Sequence, residues 1–231
     1  MKFFLESPST LRTYFTWFQS IVVYALIECA LWSPHLTGRN RWALAAAIAV
    51  AAFVLIDLVL PDLVPLDLAL HDRPSMRRMG LGLPTTFGAS LVLGVSFAAT
   101  IFLLFMVHWA GGEIPTNAIW PNLSQSSGYL LWALIQEFLL QSFFFTRFEE
   151  LFGSSVAIWV TATLFATAHL PSPVLTTFTF MAALFFCEMF RRYRSIYPIA
   201  VVHALLGLTV ATTIPDSLLH HMRVGIGYLQ Y

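Results

Sequence analysis

Apolar stretches long enough to cross a membrane recur along the chain near 13–33, 42–60, 86–109, 128–148, 154–171, 173–191 and 196–214. A hydrocarbon core about 30 Å thick takes roughly 17–25 helical residues to cross. The pattern therefore predicts an all-α, polytopic membrane helix bundle of about seven spans, one domain over 1–231. Room for an eighth element remains in 61–85 or in the last ten residues. The 61–85 stretch holds Pro61, Pro65, Pro74 and Pro84 among Asp62, Asp67, Asp72, Arg73, Arg77 and Arg78. That is too polar for a span, and it is expected at the interface, with a short helix at most.

Composition agrees with the pattern. Of 231 residues 58% are hydrophobic and 10% charged, with a mean hydropathy of +0.75, whereas soluble domains carry about a quarter charged residues. A formal net charge of zero speaks against a nucleic-acid-binding surface. Cys29 and Cys187 both fall in apolar runs and are too few for a disulfide framework. No small-residue cleavage site follows Met1–Ser9, so no removable signal peptide is expected.

Charge placement orients the bundle. With seven spans, Lys2, Arg12, Arg73, Arg77, Arg78, Arg147, Arg191, Arg192 and Arg194 fall on one side, and Arg39, Arg41 and Arg223 on the other. Basic loops stay cytoplasmic, so the N-terminus is expected inside and the C-terminus outside a bacterial plasma (inner) membrane. Tyr14, Trp17, Trp42, Trp109 and Tyr197 stand at span ends, where aromatic anchors belong. The loop 110–127 has no basic residue and is expected outside, as a plain connector or as a cap over an opening into the bundle.

Against this background a few polar side chains stand out. Glu28 and Asp57 lie near span ends and are expected to be structural. Glu188 precedes Arg191 and Arg192 at helical spacing and predicts a surface ion pair. Glu149 and Glu150 are expected in solvent. Glu137 differs, because it sits mid-span in Leu131–Arg147, roughly 14 Å from the nearer helix end at 1.5 Å per residue. An ionisable side chain at that depth is a functional-site hypothesis by default. Gln141, at i+4, shares its helix face, and Gln136 flanks it. Such a seam must point into the bundle, either as a polar clamp between helices or as part of a site. His169 closes Phe165-Ala-Thr-Ala-His169 just before Pro171, and His203 opens His203-Ala-Leu-Leu-Gly207 in mid-span. The remaining histidines lie in loops or at ends and are given no role.

These three segments, in this order, resemble the CPBP family, the CAAX proteases and bacteriocin-processing enzymes also called the Abi family. The family pattern is Glu-Glu-x-x-x-Arg, then Phe-x-x-x-His, then His-x-x-x-Asn or Asp. Here the segments are Gln136-Glu137-Phe138-Leu139-Leu140-Gln141, Phe165–His169 and His203–Gly207, and the resemblance covers 128–210. Gln136, Gln141 and Gly207 depart from it. The resemblance implies a glutamic-type intramembrane endopeptidase with a core over 128–210. Its implied catalytic residues are Glu137, His169 and His203, with Gln136, Gln141, Phe165 and Gly207 in support.

The chemistry expected of that set is hydrolysis. Glu137, helped by His169, would activate a water, and His203 would donate to the developing oxyanion. No cofactor is required, although one carboxylate and two imidazoles also make a three-ligand zinc set. The expected partners are the bilayer and a membrane protein or a lipidated or hydrophobic peptide as substrate, with no nucleic acid. The rival is a catalytically inactive relative acting as a membrane binding or scaffold protein. In that case Glu137, His169 and His203 should each find separate partners.

Overall fold

The structure is a computed structural model that describes residues 8–33, 76–110 and 123–230. Among them the regular structure is helical, with no strand beyond one isolated bridge between Leu81 and Ser195. The expected span 42–60, with Asp57, lies outside the described residues, as does most of 61–85 and of the loop 110–127. The chain divides into two compact units. One contains α1 (Pro8–Trp32) and the short α9 (Ile226–Leu229). The other comprises α2 (Thr86–Trp109), α3 (Leu123–Glu137), a π-helical segment (Phe138–Phe145), α4 (Thr146–Phe152), α5 (Ser154–Thr167), α6 (Pro173–Tyr193), α7 (Tyr197–Thr213) and α8 (Asp216–Leu219).

Among the described residues four helical runs are long and apolar enough to cross a membrane: Thr13–Trp32, Thr86–Trp109, Ser126–Phe152 and Pro173–Tyr193. All four coincide with expected spans, and the chain is an integral membrane helix bundle. Two other expected spans are shorter than their apolar stretches. α5 has 14 residues and α7 has 17, or about 21 and 26 Å at 1.5 Å per residue. α5 stops because Pro171 and Pro173 follow, and proline cannot continue a helix. α7 stops at Ile214-Pro215, after which the chain turns by 118° into the short helices that follow.

The lipid-facing surface reads directly from exposure. On α2, Phe87, Phe97, Phe102, Phe105 and Trp109 are exposed, while Gly88, Val92, Ser96 and Thr100 form a buried stripe at four-residue spacing. Small residues along one face let helix backbones approach closely without a hydrophobic drive between them. α2 packs against α7 and α6, and α5 packs most extensively against α6. In α1 the buried side chains Thr16, Gln19, Ser20 and Val23 likewise share one face. Within that helix Glu28 accepts a 3.0 Å bond from Trp32 Nε1, in keeping with a structural role.

At the heart of the larger unit is the π-helical segment. Six successive residues, Leu140 to Phe145, are buried. Phe145 meets Phe190 edge-on at 5.6 Å, and Leu140 packs with Ala162, Phe165 and Ala183. The hydroxyls here are bonded to backbone carbonyls. Ser142 donates to Met79 O, and Thr146 to Ser142 O at 2.7 Å. The Ser142 bond holds a tight turn, Met76–Gly80, against the π segment. The turn is further fixed by Ile196 N donating to Gly80 O at 3.0 Å.

Gly80 has φ +74°, and a Cβ there would overlap the Phe190 ring. Gly80→Ala therefore combines left-handed backbone strain with overpacking, at a cost of about 2–4 kcal/mol. A lowered thermal unfolding midpoint of the detergent-solubilised protein is the expected reading, and an unchanged midpoint would contradict the packing described.

The charged residues at one end of this unit depart from expectation in one respect. Glu188 does bind Arg191 and Arg192, as the spacing predicts. Glu150, expected in solvent, is exposed and pairs there with Arg78 at 2.9 Å, whereas Glu149, expected in solvent too, is half-buried against Arg194 at 2.6 Å. The partners lie far away in sequence, so no local spacing announced them. Arg147 folds back over the Phe143 ring at 3.7 Å and donates to Phe143 O.

Candidate functional site

Glu137 is the last residue of α3 and the first before the π segment. It is wholly buried. Helices that widen to π geometry for a turn or two are frequent at functional sites, and here the widening starts at the only acidic residue of the Ser126–Phe152 span that stands clear of its end. Both carboxylate oxygens are engaged. Oε1 is 2.8 Å from His203 Nδ1 on α7, and Oε2 accepts a 3.1 Å bond from Gln141 Nε2. The face shared by Glu137 and Gln141 is thus the one the spacing predicted. The other amide, Gln136, is half-buried and makes no hydrogen bond with a described residue.

His203 is held on three sides. Its Nδ1 is bound by Glu137, Phe186 stacks on its face with centroids 5.7 Å apart, and Phe165 meets it edge-on at 5.8 Å. Its side chain is 11% exposed, against 0% for Glu137. The ring therefore stands between the carboxylate and open space, and no hydrogen bond among the described residues engages its Nε2. A histidine fixed through one nitrogen presents the other in a defined direction.

His169 sits in the turn between α5 and α6, where Pro171 and the Ser172 cap of α6 set the chain direction. Its Nδ1 is 2.8 Å from Phe165 O. A carbonyl oxygen only accepts, so Nδ1 carries the proton, and in the neutral ring Nε2 is left as an acceptor. The Phe165 ring lies edge-on to His169 at 4.7 Å and also touches His203. Phe165 is the spacer that sets both imidazoles against one wall.

The structure thus brings Glu137, Gln141, His203, Phe165 and His169 into one neighbourhood. Gly207, one turn beyond His203, packs against Tyr129 of α3, whose phenol a Cβ at 207 would overlap. Three neighbours escaped the sequence analysis. Phe186 stacks on His203, Cys187 is fully buried beside Gln141 and Glu137, and Tyr129 covers Gly207. Two come from α6 and one from the start of α3, and no motif or short spacing links them to the site. The amide oxygen of Gln141 is enclosed without a hydrogen-bond partner.

For a metal, the donor set must converge. Among the described residues no three His, Cys, Asp or Glu side chains are grouped so as to hold an ion. Glu137, His169 and His203 are not grouped as a zinc set there.

Comparison with known proteins adds the family. Residues 120–209 match the family model described as Rce1-like, type II CAAX prenyl endopeptidase Rce1-like. The match contains all three motif segments and is consistent with the CPBP family that those segments resemble. No curated protein and no solved structure matches the chain.

Proposed function

We propose that the chain, whose site lies within a region matching the Rce1-like family model, is a CAAX-protease-like intramembrane endopeptidase that cleaves membrane-associated or lipidated peptides. The observation that carries this is the 2.8 Å contact between Glu137 and His203, from two separate helices, beneath an imidazole edge that remains open. In a passive scaffold Glu137 and His203 would find separate partners, whereas here each is the other's partner. Here a buried acid is spent on a histidine.

The geometry distributes the roles differently from the sequence expectation. Glu137 is enclosed, with both oxygens occupied, so it serves better as the counter-charge of His203 than as the group that meets water. His169 offers Nε2 as a free acceptor. In the proposed reaction, His169 Nε2 takes a proton from water as the oxygen attacks the scissile carbonyl carbon. The carbonyl electron pair moves onto oxygen, and His203 Nε2–H, supported by Glu137, donates to that oxyanion. When the intermediate collapses, the C–N bond breaks and His169 returns the proton to the leaving amine. The products are a carboxylic acid and an amine, which pass the remaining proton between them to become carboxylate and ammonium, and both imidazoles are restored. An acid–base group contributes about 10²–10⁴ in rate and an oxyanion donor about 10²–10³.

The paired arginines fit a cytoplasmic placement for one end of the larger unit. Arg78 and Arg194 reach Glu150 and Glu149 there, beside the Arg191–Arg192 pair. A periplasm-dependent reporter enzyme fused after Arg194 should be inactive, and an active fusion would reverse the orientation.

The activity test uses purified protein in liposomes, given a farnesylated Cys-a-a-X reporter peptide and a library of apolar peptides read by mass spectrometry. Products formed by the wild type and missing with Glu137→Gln are expected. A wild type that forms no such products would overturn the proposal.

A further inference from the structure

We infer that the Tyr129 hydroxyl is a second hydrogen-bond donor of the site, aimed at the substrate carbonyl beside His203; the inference rests on the peptidase function proposed above. The starting observation is Gly207. It lies inside α7 with ordinary helical backbone, where glycine is a poor choice because it weakens a helix relative to alanine. Nothing in the backbone requires it. What requires it is the phenol of Tyr129: a Cβ at 207 would overlap the hydroxyl oxygen and stand 2.8 Å from both Cε1 and Cζ. The chain gives up a better helix former so that this oxygen can lie against α7.

Its location is the second observation. Position 207 follows His203 by four residues, so both lie on one face of α7, one turn apart. α3 and α7 pack directly against each other, and the same two helices carry the Glu137–His203 contact. The phenol is therefore placed on the His203 face of α7, one helical turn from the imidazole.

The third observation is what the hydroxyl lacks. Tyr129 is half-buried, and no hydrogen bond among the described residues engages its hydroxyl, so that donor is available to a ligand. A donor held firmly by close packing, unpaired, next to a histidine that also has an unused nitrogen, suits an acceptor that arrives with the substrate. A carbonyl oxygen becoming an oxyanion is such an acceptor. It accepts two donors, and each is worth most where water is excluded. The phenol keeps its own proton throughout, since it only donates a hydrogen bond.

The test compares wild type, Tyr129→Phe, Gly207→Ala, Glu137→Gln, Tyr129→Ala and the double variant Tyr129→Ala with Gly207→Asn. The probe is the farnesylated reporter or, if it is not cut, the best-cleaved peptide of the library. Kinetics are read on the folded, monodisperse fraction. Tyr129→Phe retains the ring and its packing, and is expected to lower kcat about 10–100-fold with KM within about twofold. Gly207→Ala leaves the phenol in the chain but displaces its oxygen, and should lose a similar factor. In Tyr129→Ala the ring is gone, and Gly207→Asn then places a donor amide in the vacated space. Partial recovery of kcat in that double variant is expected, which a packing role for Tyr129 would not give. Full kcat in Tyr129→Phe or Gly207→Ala while Glu137→Gln is inactive would overturn this inference and leave the peptidase proposal standing. Absence of any cleavage that depends on Glu137 would remove the peptidase proposal and this inference with it.

Discussion

Glutamine in place of Glu137 should remove at least three orders of magnitude of cleavage and leave the fold in place. The substitution keeps the shape of the side chain and its contact with Gln141, but it takes away the charge that holds His203. An amide can offer Nδ1 either an oxygen or an N–H, and neither stabilises the imidazolium that donates to an oxyanion. Where a carboxylate orients and charges a catalytic histidine, its amide replacement costs about 10⁴ in turnover. Stability should change little, because glutamine is isosteric with glutamate and its amide oxygen can still accept from His203 Nδ1–H. Activity on the reporter peptide and thermal unfolding in detergent, measured on one preparation, separate the two effects. A fully active Glu137→Gln protein would rule out any mechanism that runs through this carboxylate.

The second large effect belongs to His203. His203→Ala removes both the oxyanion donor and the partner of a fully buried carboxylate. The loss of rate should be about 10²–10³ for the donor alone. Unlike the glutamine variant, this one should also unfold earlier, because leaving one member of a buried charged pair alone costs about 3–5 kcal/mol. The space left between Phe186 and Phe165 adds to that cost. His203→Gln restores a neutral partner for Glu137 and should recover stability more than activity. If His203→Ala melts like the wild type, the contact seen here is not formed in the membrane.

Much of this could be anticipated from residue order, and the reasons for the rest are physical. Long apolar runs announce helices whether or not their neighbours are known, so α1, α2, the span holding Glu137 and α6 were all legible. Glu137 and Gln141 share a face because a four-residue spacing fixes that face in any helix. α7 falls within one residue of its expected bounds, whereas the end of α5 was less legible, because apolar residues continue from Thr167 through the turn that leads to Pro171. The π segment left no trace in composition, because its eight residues are as apolar as any α-helical stretch. The ion pairs of Glu149 and Glu150 are hidden in the sequence for the same reason as the places of Tyr129, Phe186 and Cys187. Their partners come from elements far apart along the chain, and pairings of that kind are set by packing, not by spacing. His169 and His203 were recognisable as unusual, but their common wall, the Phe165 ring, was visible only in three dimensions.

Coupling between Glu137 and His203 is the measurement that reaches the centre of this account. Rates are taken for the wild type, Glu137→Gln, His203→Gln and the double variant on the same cleaved peptide. If the two residues act as one unit, the double variant is no slower than the slower single variant. Losses that multiply, or a double variant that keeps the activity of the wild type, would contradict it.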